Sequence, residues 1–295
     1  MEQKVLQAKG VCKSYGKKQV LDRLDLAIEP GRIYGLIGRN GAGKTTLLGI
    51  LTAQNTKDSG QVTYGGQPVW ENPAALADIC FSREFSAAQG AGANALRVKD
   101  YLRAAAIYYP RWDAAYAARL IQKFGLDEKP RIAKLSKGMM SMVTIVVALA
   151  SRAPITILDE PVAGLDVVAR EQFYKLLLED YQQTQRTFVI STHIIEEAAG
   201  VFEEVIILDE GRIVEKAPTD ELVAQFHCVS GREDQVDGAT AGFAVLETEQ
   251  LGRHKAVTVR CGAAQLQAAC AGWEVDLSPL NLQKTFVALC GHGEV

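Results

Sequence analysis

The first 35 residues alternate apolar and polar positions, with Leu24, Leu26 and Ile28 on one face before a Glu29-Pro30-Gly31 turn. That is the period of half-buried strands, and it predicts an antiparallel β layer. The next run, Ile33 to Ile37, is continuously apolar, as a strand buried on both faces must be, and a helix-like stretch, Leu47 to Leu51, follows closely. From about 85 to 150 alanines are frequent, and the pattern predicts a helical subdomain that ends in a long apolar helix from Leu135 through Ala150. Strand and helix patterns then alternate to about 225, with buried strands at Ile155 to Leu158 and Thr187 to Ile190. Alternation of this kind predicts an α/β core.

From about 226 the chain changes character. Ser230 to Gln235 reads as a linker, Val257 to Val259 and Trp273 to Leu277 alternate like strands, and Leu282, Phe286 and Leu289 share a helix face. Ser278-Pro279 is a start signal for that last helix. The expected division is a domain over 1–225 and an α/β accessory domain of about 65 to 70 residues over 226–295. His227, His254 and His292 are isolated, and no chemistry is assigned to them.

Composition narrows the class. With 48% hydrophobic and 23% charged residues, the 295-residue chain can bury a full core. No apolar run approaches the roughly 18 residues of a membrane span, since Val143 to Ala150 is cut off by Ser151-Arg152. The first residues, Met1-Glu2-Gln3-Lys4, carry no signal-like stretch, so the expected location is the cytoplasm. Six cysteines without a C-x-x-C pair indicate neither zinc nor a disulfide framework. A net charge of −3 gives no general attraction for nucleic acid.

Chemistry enters between the apolar run at 33–37 and the helix after it. Gly38-Arg39-Asn40-Gly41-Ala42-Gly43-Lys44-Thr45-Thr46 meets the G-x-x-x-x-G-K-[ST] pattern of a phosphate-binding loop, in the strand-to-helix context the motif needs. Its glycines let backbone N–H groups approach phosphate oxygens at a helix N-terminus. Lys44 can reach the outer phosphates, and the Thr45 hydroxyl can take a magnesium ligand position. The strand 155–158 ends in Asp159-Glu160, two acids placed where a parallel strand would meet that loop. Asp159 is suited to hold the magnesium hydration shell, and Glu160 to polarise an attacking water.

Four further features surround this pair. Leu135-Ser136-Lys137-Gly138-Met139 opens the long apolar helix. Pro161 to Asp166 follows the acids, Ile190-Ser191-Thr192-His193 ends another strand, and Tyr15 stands in a turn ahead of the phosphate loop.

Their order and spacing over about residues 4 to 225 resemble the ATP-binding cassette (ABC) ATPases. The resemblance implies a P-loop NTPase core with an antiparallel β subdomain and a helical insert at about 85–150. It implies ATP and Mg2+ as ligands, with Tyr15 stacking on adenine and His193 sensing the γ-phosphate. Ser136 and Gly138 match the signature that contacts ATP held mainly by the other subunit, and Asp166 the loop joining the two sites. It further implies an ATPase that energises a separate transmembrane permease, as a homodimer or as a heterodimer with a related subunit, peripheral on the inner face of the membrane. The aromatics Phe85, Tyr101, Tyr108, Tyr109 and Trp112 cluster in or near the insert, where the family receives a short helix of the permease; the alternative is that most of them pack inside the subdomain, and an exposed group would mark the interface. The Leu-Ser-Lys-Gly-Met wording, with Tyr108 to Asp113 and Lys123 to Asp127, resembles a bacterial branch that drives exporters, including ones linked to peptide-antibiotic resistance.

Two positions depart from the family pattern. The signature L-S-G-G-Q carries Lys137 and Met139 here, and Lys137 either adds charge near the partner's phosphates or points to solvent. Glu84 stands where a magnesium-sensing glutamine is usual, and Gln89 is a displaced stand-in. A carboxylate can still ligate magnesium but cannot donate a hydrogen bond when ionised. The rival class is a soluble, non-transport ABC ATPase acting on nucleic acid or ribosomes. The missing second cassette, coiled coil and basic stripe argue against it.

Overall fold

A computed structural model describes residues 4–83 and 95–291. The chain divides into two compact units, one formed by residues up to His193 together with Leu208–Val214, the other by Ile194–Ile207 and Glu215 onward. Residues 194–207 and 215–225 thus group with the C-terminal part, away from the expected break at 225/226.

In the first unit, strands β1 (Leu6–Tyr15) and β2 (Lys18–Ile28) pair antiparallel, and β4 (Ser59–Tyr64) and β5 (Gln67–Pro68) extend the layer in the order β2-β1-β4-β5. Leu24, Leu26 and Ile28 are buried, as the alternation requires. The second layer is a parallel sheet in which β3 (Ile33–Ile37), β8 (Thr187–Ser191), β7 (Ile155–Asp159) and β6 (Ile79–Arg83) lie side by side. Every residue of β3, β7 and β8 is buried, which is why all three are dominated by apolar residues rather than alternating. The hairpin from β9 (Glu204–Asp209) to β10 (Arg212–Pro218) contributes its Leu208–Val214 part to this unit.

Helix α1 (Lys44–Leu51) follows β3, and the short α2 (Pro73–Leu76) precedes β6. The helical insert holds α3 (Val98–Tyr108), α4 (Ala114–Phe124) and α5 (Lys137–Ala150); α6 (Val167–Thr184) joins β7 to β8. Asp113 caps α4 by accepting from Tyr116 N–H at 2.8 Å, and Gly125 ends that helix in the left-handed conformation. An ion cluster centred on the buried Asp180–Arg186 pair ties the insert to the core. Asp180 on α6 accepts from Arg186 at 2.8 Å and Arg152 at 2.9 Å, and Arg152 also reaches Asp113 at 3.0 Å.

The second unit begins with α7 (Ile195–Ala198) and α8 (Thr219–Val223). Its sheet contains β11 (Phe226–Arg232), β12 (Val245–Leu251), β13 (His254–Arg260) and β14 (Val275–Pro279), interleaved with α9 (Glu233–Thr240) and α10 (Ala263–Cys270). The strand order β12-β13-β11-β14, antiparallel throughout, is the β-α-β-β-α-β split-βαβ arrangement. Val229, Val236, Val257, Val259 and Leu266 form its core.

Two readings of this region are corrected. Ser230 to Arg232 is the end of β11 and α9 starts at Glu233, so the polar run 230–235 is no linker. The last helix, α11 (Leu282–Cys290), starts after Asn281, whose Oδ1 accepts from Lys284 N–H at 2.8 Å; Ser278-Pro279 closes β14 instead. An Asn side chain supplies the cap that the Ser-Pro pair was expected to provide.

Candidate functional site

The buried strand β3 delivers the chain to Gly38, where a Cβ would press on the carbonyl oxygen of Leu208. Gly41 and Gly43 take φ of +84° and +109°, conformations that only glycine adopts without strain. A Cβ on Gly43 would also lie 2.9 Å from Val20 O and Leu21 Cδ2. Within the loop Ala42 N–H donates to Arg39 O at 3.1 Å, while Arg39 and Asn40 are exposed. Gly43 opens α1 with no side chain capping it, which leaves the first amides, at Lys44, Thr45 and Thr46, unclaimed by a cap.

Lys44 is buried and folds back over the loop, donating from Nζ to Gly38 O at 2.6 Å and to Arg39 O at 3.3 Å. Burial lowers its pKa below the usual lysine range, against the pull of the Glu160 and Asp159 carboxylates. Thr45 Oγ1 donates to Asp159 Oδ2 at 2.7 Å, and the other oxygen, Asp159 Oδ1, is buried with no hydrogen-bond partner. An orphaned carboxylate oxygen beside a hydroxyl is the donor set a hard divalent cation takes, so these residues fit magnesium.

Glu160 sits at φ +51°, turned out of the strand direction, and its N–H donates to Ser191 O at 2.9 Å. This bond brings the ends of β7 and β8 together. Two residues past Ser191, His193 Nδ1 lies 2.7 Å from Glu160 Oε2. An ionised carboxylate only accepts, so the proton in that bond belongs to Nδ1. Tyr15 closes β1 with its ring half exposed, and Lys13 Nζ stands 5.3 Å from the ring centroid.

The signature residues stand on the other side of the two acids' turn, at the start of α5. Ser136 caps α5, its Oγ accepting from Met139 N–H at 3.2 Å. It lines a cleft of about 300 Å³ with Arg83, Lys137, Asp159 and Glu160, and none of residues 38–46 borders that cleft. One chain therefore assembles the phosphate loop with Asp159, Glu160 and His193, and Ser136 shares with that set only the cleft that the two acids border. Gly138 packs against the turn after Glu160, where a Cβ would meet Gly164 O at 2.5 Å, and the Lys137 stem covers Gly164. Asp166 caps α6, accepting from Ala169 N–H at 2.8 Å. Glu84, Phe85 and Gln89 lie outside the described residues.

Sequence reasoning missed Ser141, whose Oγ donates to Ala163 O at 2.6 Å. A hydroxyl amid the apolar positions of a buried helix was the available signal.

Residues 21–163 match the family model described as ABC transporter. The chain is 30% identical to the Nod factor export ATP-binding protein I of Cupriavidus metallidurans, over 98% of both chains. It belongs to the ABC transporter family. It is also 32% identical, over 72% of its own length and 84% of the relative's, to the taurine import ATP-binding protein TauB of Shigella dysenteriae. A solved structure described as the ATP binding subunit of an ABC transporter superposes with a TM-score of 0.64, at 26% identity, covering 74% of this chain and 91% of that one. The expected cassette fold is the observed one, and the chain is an ATP-binding ABC ATPase, the ATP-hydrolysing subunit of a transporter. Its relatives include both export and import subunits, so membership in the exporter branch does not follow from them.

Proposed function

We propose that this chain works as one of a pair of cassettes that close on Mg-ATP and drive export through a separate membrane permease. The observation that carries the reading is the incomplete site: Lys44, Thr45, Asp159, Glu160 and His193 converge, while Ser136 lines a cleft that Asp159 and Glu160 border and none of residues 38–46 does. A second cassette, a copy or a related subunit, would supply the Ser136–Gly138 element missing from each nucleotide site. ATP favours the closed pair because it makes contacts there that it lacks in the open state.

In this reading the amides of the Gly38–Thr46 loop and the Lys44 ammonium bind the phosphates, and Tyr15 stacks on the base. Magnesium, when bound by Thr45 and Asp159, neutralises charge building on the phosphates. The Glu160 carboxylate takes a proton from the attacking water as its oxygen bonds to the γ-phosphorus and the bond to the β-phosphate oxygen breaks. His193 holds that carboxylate through Nδ1.

The permease would dock at a groove of about 440 Å³ lined by Phe81, Tyr101, Ala105, Tyr108 and Tyr109, where the Tyr108 ring is exposed and meets Tyr109 edge-on. Among the described residues no helix is long and apolar enough to cross a membrane; in this reading the chain sits peripherally on the inner face through that partner. Export is proposed from two relatives named for Nod factor export, which match 98% of the chain at 30% identity, against 94% at 28% for a relative named for aliphatic sulfonates import. Inverted membrane vesicles carrying the chain with its co-encoded permease test the direction: ATP-driven accumulation of cargo inside them supports export, and ATP-driven loss of preloaded cargo supports import.

A further inference from the structure

The N-terminal turns of α5 are keyed into the turn that follows Glu160. Ser141, only 7% exposed, donates through Oγ to Ala163 O at 2.6 Å. Ala163 N–H in turn donates to Glu160 O at 3.1 Å. Gly138 meets Gly164 at a distance no side chain tolerates, and Gly164, at φ +78°, lies under the Lys137 stem. One turn along the helix, Thr144 Oγ1 donates to Ser141 O at 2.9 Å, and Thr144 O accepts from Ser82 Oγ on β6 at 3.3 Å. Ser82 and Thr144 border both the cleft beside Glu160 and the aromatic groove.

We propose that Ser141 is a positioning residue for hydrolysis: its bond to Ala163 makes the signature end of α5 and the Glu160 turn move as one body. The inference rests on the reading of Glu160 as the water-activating acid and adds how that acid is aimed. Without the hydroxyl the Ala163 carbonyl loses this donor, and the Glu160–Leu165 turn loses a bond that holds it to the helix. Because the signature is read as acting on the partner's nucleotide, the lock passes closure at one site to the acid of the other. It also offers the aromatic groove a polar route, Ser82 to Thr144 to Ser141, to the same turn.

The test compares Ser141→Ala and Ser141→Thr in the full chain by steady-state ATPase. A misaimed acid loses on the order of tenfold in kcat with the KM for ATP within about twofold, because misplacement by a fraction of an ångström penalises the chemical step. Ser141→Thr keeps the hydroxyl and restores turnover. ATP binding, followed by equilibrium dialysis in Ser141→Ala combined with Glu160→Gln, matches that of Glu160→Gln alone. Three results overturn the proposal: unchanged kcat in Ser141→Ala, a loss shared by kcat and ATP binding, or a Thr variant no better than Ala. Wild-type protein that hydrolyses no ATP, or Glu160→Gln protein that still does, removes the underlying reading of the site instead.

Discussion

Glu160 Oε2 and His193 Nδ1 lie 2.7 Å apart, an acid at the end of β7 held by an imidazole just beyond β8. The backbone bond from Glu160 N–H to Ser191 O sets the two strand ends in register, so the side-chain pair depends on the sheet rather than on loop flexibility. His193→Ala frees the carboxylate to rotate. Turnover should fall by about 10² or more, the scale of a misdirected general base, while ATP binding by equilibrium dialysis changes little. Equal losses in binding and turnover would place His193 in nucleotide capture instead.

Gly138 provides a test of packing. Its Cβ would stand 2.5 Å from Gly164 O, a backbone atom that cannot yield, so Gly138→Ala should cost about 1–3 kcal/mol in urea unfolding and lower ATPase activity with it. Gly200→Ala, at a position with nothing within 4 Å, is the control and should leave both unchanged.

Asp180 bridges two guanidinium groups and is fully buried, with Arg186 also donating to Leu149 O at 3.0 Å and Thr156 Oγ1 at 2.9 Å. Removing the carboxylate strands buried positive charge. Asp180→Ala should destabilise the first unit by about 3–5 kcal/mol, read as a lower urea midpoint. A variant within experimental error of wild type would show that the cluster relaxes to water.

Lys44 gives a pH signature. Its pKa is lowered by burial, and bound phosphates favour the charged form, so binding raises it again. The ammonium's contribution to ATP affinity is therefore fully present at pH below the free-state pKa and is lost as pH rises from there through the bound-state pKa, beginning lower than for an ordinary lysine. Titrating ATP affinity from neutral to alkaline pH checks this. Lys44→Arg, which does not titrate in that range, should show a weaker but flat profile.

The phosphate loop and the strand carrying Asp159-Glu160 were legible because their chemistry is local: a strand, a turn that needs glycine, a helix start and two acids at a strand end. The burial of Leu24, Leu26 and Ile28 was legible from period alone. Contacts between distant segments were not. The Ser141–Ala163 bond, the Gly138–Gly164 approach and the Asp180 cluster each join residues whose adjacency depends on sheet order and helix packing. The linker reading of 230–235 failed because a polar strand end followed by an acidic first helical turn has the same composition as a linker. Ser136 and Asp166, singled out for a partner's nucleotide and for the loop between two sites, also cap their own helices, a local role that can coexist with the proposed one.

If two chains complete each other's nucleotide sites with Glu160 as the acid, a variant that cannot hydrolyse ATP should be held in the paired state. Gel filtration of Glu160→Gln protein with and without Mg-ATP, beside ATPase assays of that variant and wild type, decides this. ATP should convert the variant from monomer to dimer, and its turnover should be lost. A variant that stays monomeric with ATP, beside a wild type that hydrolyses ATP as a monomer, would contradict it.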